Sequence, residues 1–231
     1  MKFFKIALYF LLGVSLSLFI LTTSINAKSF DINYYMNSFK ENNIEEITNM
    51  DEENLHHVAE DFIKYLKDDR AKLDTTAIIN GELRPVYDER EILHMIDVKI
   101  LFKLNHSINI ISIIVFIVSL LILLKTKTLN LHSLGKTLMI TVGINLALLL
   151  ILVIFIQSDF TQYFTYFHEI FFNNDLWLLD PKTEILIQMM PEPFFIKAAI
   201  GIGLYYGSSL ILMIVVGLLL YKIKWRKYAV W

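Results

Sequence analysis

A chain of 231 residues that is 55% hydrophobic and only 19% charged, with 21 basic against 23 acidic residues, has the composition of an integral membrane protein rather than a soluble domain. Its formal net charge of −2 offers no electrostatic footprint for nucleic acid. With no cysteine, disulfides, thiolate zinc sites and a cysteine nucleophile are all excluded.

A helix needs about 20 apolar residues to cross the hydrocarbon core. Residues 1–27 are expected to form the first transmembrane helix, apolar from Ile6 to Ala27. A cleaved signal peptide ending in SINA is the competing reading, but the apolar run exceeds the usual h-region, so an uncleaved span is expected. Residues 28–103 form the first segment of a small cap leading into the second span. Within it, MDEENLHHVAEDFIKYLKDD puts Leu55, Val58, Ala59, Phe62 and Leu66 at helical spacing. AIINGELRPVY carries Asn80-Gly81 between two β-prone runs, a hairpin signal. DEREILHMIDVKILFKL is helix-prone and runs straight into the second span, residues 104–124, which holds Asn105, His106 and Asn109 near its start. A loop, 125–136, precedes the third span, 137–158. Residues 159–197 form the second cap segment. There, Asp180 and Pro181 are expected to start a short helix over 181–189, which Pro191 and Pro193 end. The fourth span is 198–221 and the tail 222–231.

None of the four apolar runs contains Asp, Glu, Lys or Arg, and all 23 acids fall in 28–103 and 159–197. Lys2 and Lys5, then Lys125, Lys127 and Lys136, then Lys222, Lys224, Arg226 and Lys227 lie in regions without a single acid. The positive-inside rule makes those three regions cytoplasmic and the two acid-bearing segments extracellular. The expected architecture is a membrane all-α core of four transmembrane helices with a small mixed α/β extracellular cap, in a multi-pass cell-membrane protein with both termini cytoplasmic.

His94 lies ten residues before Leu104, and His168 ten residues after Ser158. If both helices continue outward, each ring stands about 15 Å beyond its span boundary on the same side. Glu91 and Asp97 share a helix face with His94, where a carboxylate would fix the imidazole tautomer. Thr161, Thr165 and His168 form a polar stripe flanked by Phe160, Tyr163, Phe164, Tyr166, Phe167, Ile170 and Phe171. On spacing alone a plain reading stands beside this one. Aromatic residues enrich at membrane interfaces without chemistry, and an interfacial histidine is usually just solvated. His56 and His57 sit on an exposed helix face, where His56 with Glu60 has the spacing but not the company of a metal site. His106 and His132 carry no chemical expectation, and Asp175, Trp177 and Glu192 would serve equally as turn caps or interface anchors.

EREILHMIDVK together with YFHEIFFNNDLWLLDPKTEILIQMMPEPFF resembles the bacterial lipoprotein intramolecular transacylase family, and the resemblance covers the whole chain. It implies four transmembrane helices under an extracellular cap. It also implies transfer of the sn-2 acyl chain of a diacylglyceryl lipoprotein to the α-amino group of its N-terminal cysteine, giving a lyso-form lipoprotein. The histidines of LHMIDV and YFHEIFF, His94 and His168, correspond to the family's catalytic pair.

The residues suit that chemistry. Donor ester and acceptor amine sit on one substrate, so no acyl-enzyme is needed and positioning supplies much of the rate. One imidazole takes the amine proton and returns it to the leaving glycerol oxygen. The second imidazole, or Asn174 or Tyr166, stabilises the oxyanion. His94 oriented by Asp97 is the expected base and His168 its partner, with the reverse order left open. Asp175, Trp177 and Glu192 are expected to orient or shape the site. No cofactor or metal is called for. The expected partners are the diacylated lipoprotein and membrane lipid, not nucleic acid. Nothing in the sequence sets the oligomeric state, and a monomer is favoured. A non-catalytic scaffold or sensor with an extracellular binding cap is the alternative function. A transporter lacks an ionisable mid-membrane pair, and a metalloprotease lacks HExxH.

Overall fold

The computed structural model describes residues 2–223. The basic residues Lys224, Arg226 and Lys227 lie outside the described residues. Along the chain run α1 (Lys2–Ser29), α2 (Ile32–Glu41), α3 (Ile44–Thr48), α4 (Glu52–Leu66), β1 (Thr76–Ile79), β2 (Glu82–Pro85), α5 (Glu89–Lys125), α6 (Leu131–Ser158), α7 (Phe160–Phe171), α8 (Ile185–Met189) and α9 (Glu192–Lys222). Helices α1, α5, α6 and α9 are long and apolar enough to cross a membrane. The chain divides into two compact units. One comprises Met1–Ile25, Ser107–Ile154 and Ile202–Trp231, the other Asn26–His106 and Phe155–Gly201.

The first unit holds the apolar stretches of the four long helices. Lipid offers no hydrophobic drive to hold helices together, so close packing and hydrogen bonds must do it. Asn145 Oδ1 accepts from Ser17 Oγ at 2.8 Å and from Tyr206 Oη at 2.6 Å, while its amide donates to the Thr141 carbonyl at 2.8 Å. Asn109 donates to Thr22 Oγ1 at 2.9 Å and Thr23 Oγ1 at 2.8 Å, so its polar head is satisfied by α1. The Tyr9 hydroxyl accepts from the Asn130 N–H at 2.8 Å, tying α1 to the turn before α6. The backbones of α6 and α9 approach closely. A Cβ on Gly135 would fall 2.5 Å from both the Gly217 carbonyl oxygen and the Tyr221 nitrogen, backbone atoms that cannot swing away.

The second unit has its own core, built from Tyr34, Tyr35 and Phe39 of α2, Ile44 of α3, the inner face of α4, Ala77 and Ile79 of β1, Met95 of α5, Met189 of α8 and Phe194 of α9. The expected amphipathic helix is α4, and Leu55, Val58, Ala59, Phe62 and Leu66 are its buried face. Asp51 caps it, accepting from the Asn54 N–H at 2.8 Å. The expected hairpin forms in antiparallel register with Ile79 opposite Glu82. Asn80 and Gly81 turn with φ of 56° and 82°, a pairing that matches strand twist and that Asn-Gly adopts readily. Asp61, buried, is held by Arg70 and by Thr75 Oγ1 at 3.1 Å. Lys99, also buried, reaches Asp68 at 2.8 Å and lies 4.2 Å over the Tyr65 ring.

Three local expectations are corrected. Helices α2 and α3 carry INYYMNSFKENNIEEIT, which the sequence reading left without structure. The third apolar helix does not continue outward to His168: it ends at Ser158, and Asp159 (φ −163°, ψ 89°) caps a new helix by accepting from the Gln162 N–H at 3.0 Å. The short helix expected over 181–189 covers only Ile185–Met189, because the Asp180 side chain accepts the Lys182 N–H at 2.9 Å and closes a turn instead. Pro193 sits in the first turn of α9, where a missing N–H costs no hydrogen bond.

Replacing Gly135 by alanine is expected to lower the thermal midpoint of the detergent-solubilised protein, at a cost of about 1–3 kcal/mol from forced backbone separation. Gly143→Ala, with nothing within 4 Å of the added carbon, serves as the control and leaves the midpoint in place.

Candidate active site

Arg90, His94 and Asp97 recur at spacings of four and three along α5, so one face presents all three. The start of that helix is fixed by a reciprocal cap. Asp88 Oδ1 accepts the Glu91 N–H at 2.8 Å, and Glu91 Oε2 accepts the Asp88 N–H at 2.6 Å. The second Glu91 oxygen accepts the Leu186 N–H at 2.6 Å, joining α5 to the first turn of α8. Glu91 is 1% exposed. Burial, reinforced by the charges of Asp88 and Glu184, pushes its carboxyl up to about 7 against the pull of those two N–H donors. It is thus occupied with backbone and does not bond the His94 ring.

His94 and His168 come together, their ring centroids 6.0 Å apart and their planes inclined at 34°. They are 6% and 7% exposed. Phe172 packs against both, 5.3 Å from His94 and 5.5 Å from His168. Phe164 at 4.4 Å and Phe167 at 5.4 Å wall the His168 ring, and Trp177 stacks on it at 4.8 Å and 29°. All of these residues belong to the second unit.

The two rings differ in their partners. His168 Nδ1 lies 2.7 Å from the Phe164 carbonyl. A carbonyl only accepts, so Nδ1 carries the proton and Nε2 keeps its lone pair. His94 Nδ1 is buried with no partner. A bare lone pair is less costly to bury than an unpaired N–H, which puts the His94 proton on Nε2. Both rings stay neutral. Burial, then the neighbouring His168, pull His94 down to about 4 against the weaker attraction of Asp97, and burial lowers His168 against its bond to the Phe164 carbonyl.

Asp97 does not orient His94 by a hydrogen bond, contrary to expectation. Its Oδ2 accepts from Asn174 Nδ2 at 2.9 Å. Asn174 is thereby committed to Asp97, not to the rings. Asp175 lends its main-chain carbonyl to Arg90 at 2.6 Å. Tyr166 is exposed and accepts from Gln162 Nε2 at 3.0 Å, away from the pair. Glu192 accepts from Thr161 Oγ1 at 2.7 Å, at the far end of α7 from His168. Of the supporting residues named from sequence, Trp177 alone touches a histidine ring. Phe172 was missed because it follows the helix end and only the fold returns it against both rings. Arg90 was missed although its spacing of four from His94 was in plain view. Among the described residues no three His, Asp or Glu side chains converge as a metal site. Glu60 is paired with Lys64 at 3.2 Å, and His132 bonds the Tyr221 carbonyl at 2.8 Å.

A helical protein with four helices long and apolar enough to cross a membrane, carrying a buried imidazole pair in an aromatic wall, defines a multi-pass membrane protein. Residues 10–195 match the family of the lipoprotein intramolecular transacylase Lit, and the chain belongs to that family of membrane acyltransferases. The fold matches the in meso structure of the membrane-integral lipoprotein intramolecular transacylase Lit from Bacillus cereus, with a TM-score of 0.81, 22% identity, and coverage of 96% of this chain and 98% of that one. Two variants of that protein, one with a histidine replaced by arginine and one with a histidine replaced by alanine, match with TM-scores of 0.75 at 22% identity. They cover 96% of this chain and 93% and 95% of theirs. No curated relative matches the chain.

The depressed affinity of His94 for a proton has a stability consequence. Between about pH 4 and the ordinary 6.5 the unfolded chain binds more protons at this position than the folded one, so stability falls as pH is lowered through that window. Glu91 acts oppositely, since its contribution is present below 4.5 and is lost as pH rises through about 7. Comparing thermal midpoints at neutral and acid pH with and without the His94 imidazole isolates the first effect. His94→Gln should shrink the acid-induced drop by about 2–4 °C, the shift that ~1 kcal/mol gives in a chain of this size.

Proposed function

We propose that the chain moves the sn-2 acyl chain of a diacylglyceryl lipoprotein onto the α-amino nitrogen of its N-terminal cysteine, leaving a lyso-form lipoprotein. The observation that carries this reading is the pairing of two buried imidazoles at 6.0 Å in an aromatic wall, His168 with Nδ1 on the Phe164 carbonyl and His94 with Nδ1 unpartnered. Family membership supplies the transacylase class and the lipoprotein substrate.

His168 Nε2, with its lone pair free, is the base. The amine nitrogen attacks the ester carbonyl and gives up its proton to Nε2. The C–N bond forms, the C–O bond to glycerol breaks, and the same proton passes to the departing glycerol oxygen, so the ring ends as it began. His94 Nε2–H donates to the oxyanion. A neutral imidazole suits that task because its proton is not surrendered, and the low proton affinity of His94 keeps it neutral. This reverses the order expected from sequence. What supports the reversal is the Phe164 carbonyl on His168 and the commitment of Asp97 to Asn174. Tyr166 bonds Gln162 and Asn174 bonds Asp97, and the oxyanion donor assigned in this reading is the His94 ring. Phe164, Phe167, Phe172 and Trp177 keep water, the competing nucleophile, from the ester. Lys2, Lys5, Lys125, Lys127 and Lys136 face the cytoplasm on this reading, and the histidine-bearing unit works at the outer leaflet.

The test follows lipoprotein N-termini by mass spectrometry in a strain that makes no N-acylated lipoproteins. The parent chain should yield lyso-form lipopeptide, and His94→Ala and His168→Ala should each cut the yield about 100-fold or more, in keeping with positioned proton transfer. Undiminished product from either variant removes that ring from the reaction. A scaffold or sensor would leave both replacements silent.

A further inference from the structure

The segment between α7 and α8 crosses the histidine pair, and two hydrogen bonds fasten it to α5. Arg90 Nη2 donates to the Asp175 carbonyl at 2.6 Å, and Asn174 Nδ2 donates to Asp97 Oδ2 at 2.9 Å. Arg90 stands four residues before His94 and Asp97 three residues after it, so the fastenings bracket the ring along the helix. Two residues past the second fastened position, Trp177 lies flat on His168.

We propose that Arg90 is a positioning residue for acyl transfer: with the Asn174–Asp97 bond, it clasps the 173–177 strap to the helix that carries His94 and so holds Trp177 on His168.

This rests on the acyl-transfer reading above and names a residue outside the histidine pair. The bonding pattern separates Arg90 from an ordinary surface arginine. Among the described residues it forms no ion pair, so its charge is not spent on a carboxylate. Its charge-assisted bond goes to a main-chain carbonyl, which fixes where the strap runs. The strap is also shaped from within. Asn174 Oδ1 accepts the Leu176 N–H at 3.1 Å, and the Asp175 carbonyl that receives Arg90 also accepts the Leu178 N–H at 3.2 Å. One clasp therefore sets the turn that delivers Trp177. The ring that Trp177 covers, His168, lies on α7, whereas the strap touches α5 through side chains that are exposed or half-buried. A segment held mainly by such contacts opens at lower cost than the core beneath it. Releasing it uncovers His168, and fastening it completes the water-excluding wall.

The full-length protein provides its own reporter. It has three tryptophans, Trp177, Trp225 and Trp231, so the Trp225→Phe/Trp231→Phe background leaves Trp177 alone. In detergent, acrylamide quenching of Trp177 reads strap opening, and turnover of a diacylated lipopeptide reads kcat and KM on the same samples. Arg90→Ala and Asn174→Ala should each raise quenching and lower kcat by about 10-fold to 100-fold, the scale of a misplaced site, with the smaller change in KM. Arg90→Lys, which still donates to a carbonyl, should recover part of both readouts. Arg90 is exposed, so its replacement leaves the core untouched.

The proposal is overturned if Arg90→Ala leaves Trp177 as protected as in the parent, whatever happens to turnover. It is equally overturned if Trp177 becomes accessible while kcat is unchanged. Failure of the acyl-transfer reading looks different: His94→Ala and His168→Ala retain turnover, and the quenching series for Arg90 stands or falls without reference to it.

Discussion

Burying two imidazoles side by side without charging either is the constraint on which the rest of the second unit depends. Two protonated rings 6.0 Å apart among phenyl groups would repel each other with no water to screen them. The fold answers with apolar walls and with a different hydrogen-bonding environment for each ring. A carbonyl one helical turn back holds the proton of His168 on one nitrogen. His94 has no such partner at Nδ1. Identical side chains thus acquire different chemistry from their surroundings alone, one exposing a lone pair and the other an N–H.

That arrangement requires the backbone around the rings to be rigid, and the buried carboxyl of Glu91 contributes most directly. It closes the first turn of the His94 helix and reaches across to α8. A group this deeply buried must have its hydrogen-bonding capacity used, and both oxygens are. The membrane unit uses the same logic in milder form. Ser17, Asn145 and Tyr206 satisfy one another among apolar side chains, and each of the three would be a liability without the other two.

Much of this was legible in the sequence, for reasons that can be named. The four spans announce themselves because lipid tolerates no charge, and composition alone reports that. The α4 face and the Asn-Gly hairpin are local patterns, written within a few residues of where they act. Equal spacing from two spans raised the histidine pair only as a candidate, and the resemblance to the transacylase family selected it; one premise of the spacing failed, since α6 and α7 are separate helices. Hidden from sequence were the features that depend on who meets whom across 70 or more residues. Asp97 has helical proximity to His94, yet Asn174, 77 residues away, takes its oxygen. Phe172 has no periodic signature, being just past a helix end. Helix α2 was overlooked because its polar residues mask a stripe of Tyr34, Tyr35 and Phe39 that only the core explains.

The interruption at Asp159 carries a consequence for how such a protein can change over time. Along one unbroken helix, each side chain's azimuth is set by its distance in residues from every other, about 100° per step. His168 would then have inherited its direction from the lipid-facing pattern of α6, and any insertion in the span would have swung the imidazole off target. A single capped residue resets the phase. The apolar span is free to lengthen or shorten with bilayer thickness, and the aromatic helix can keep its ring aimed where it is.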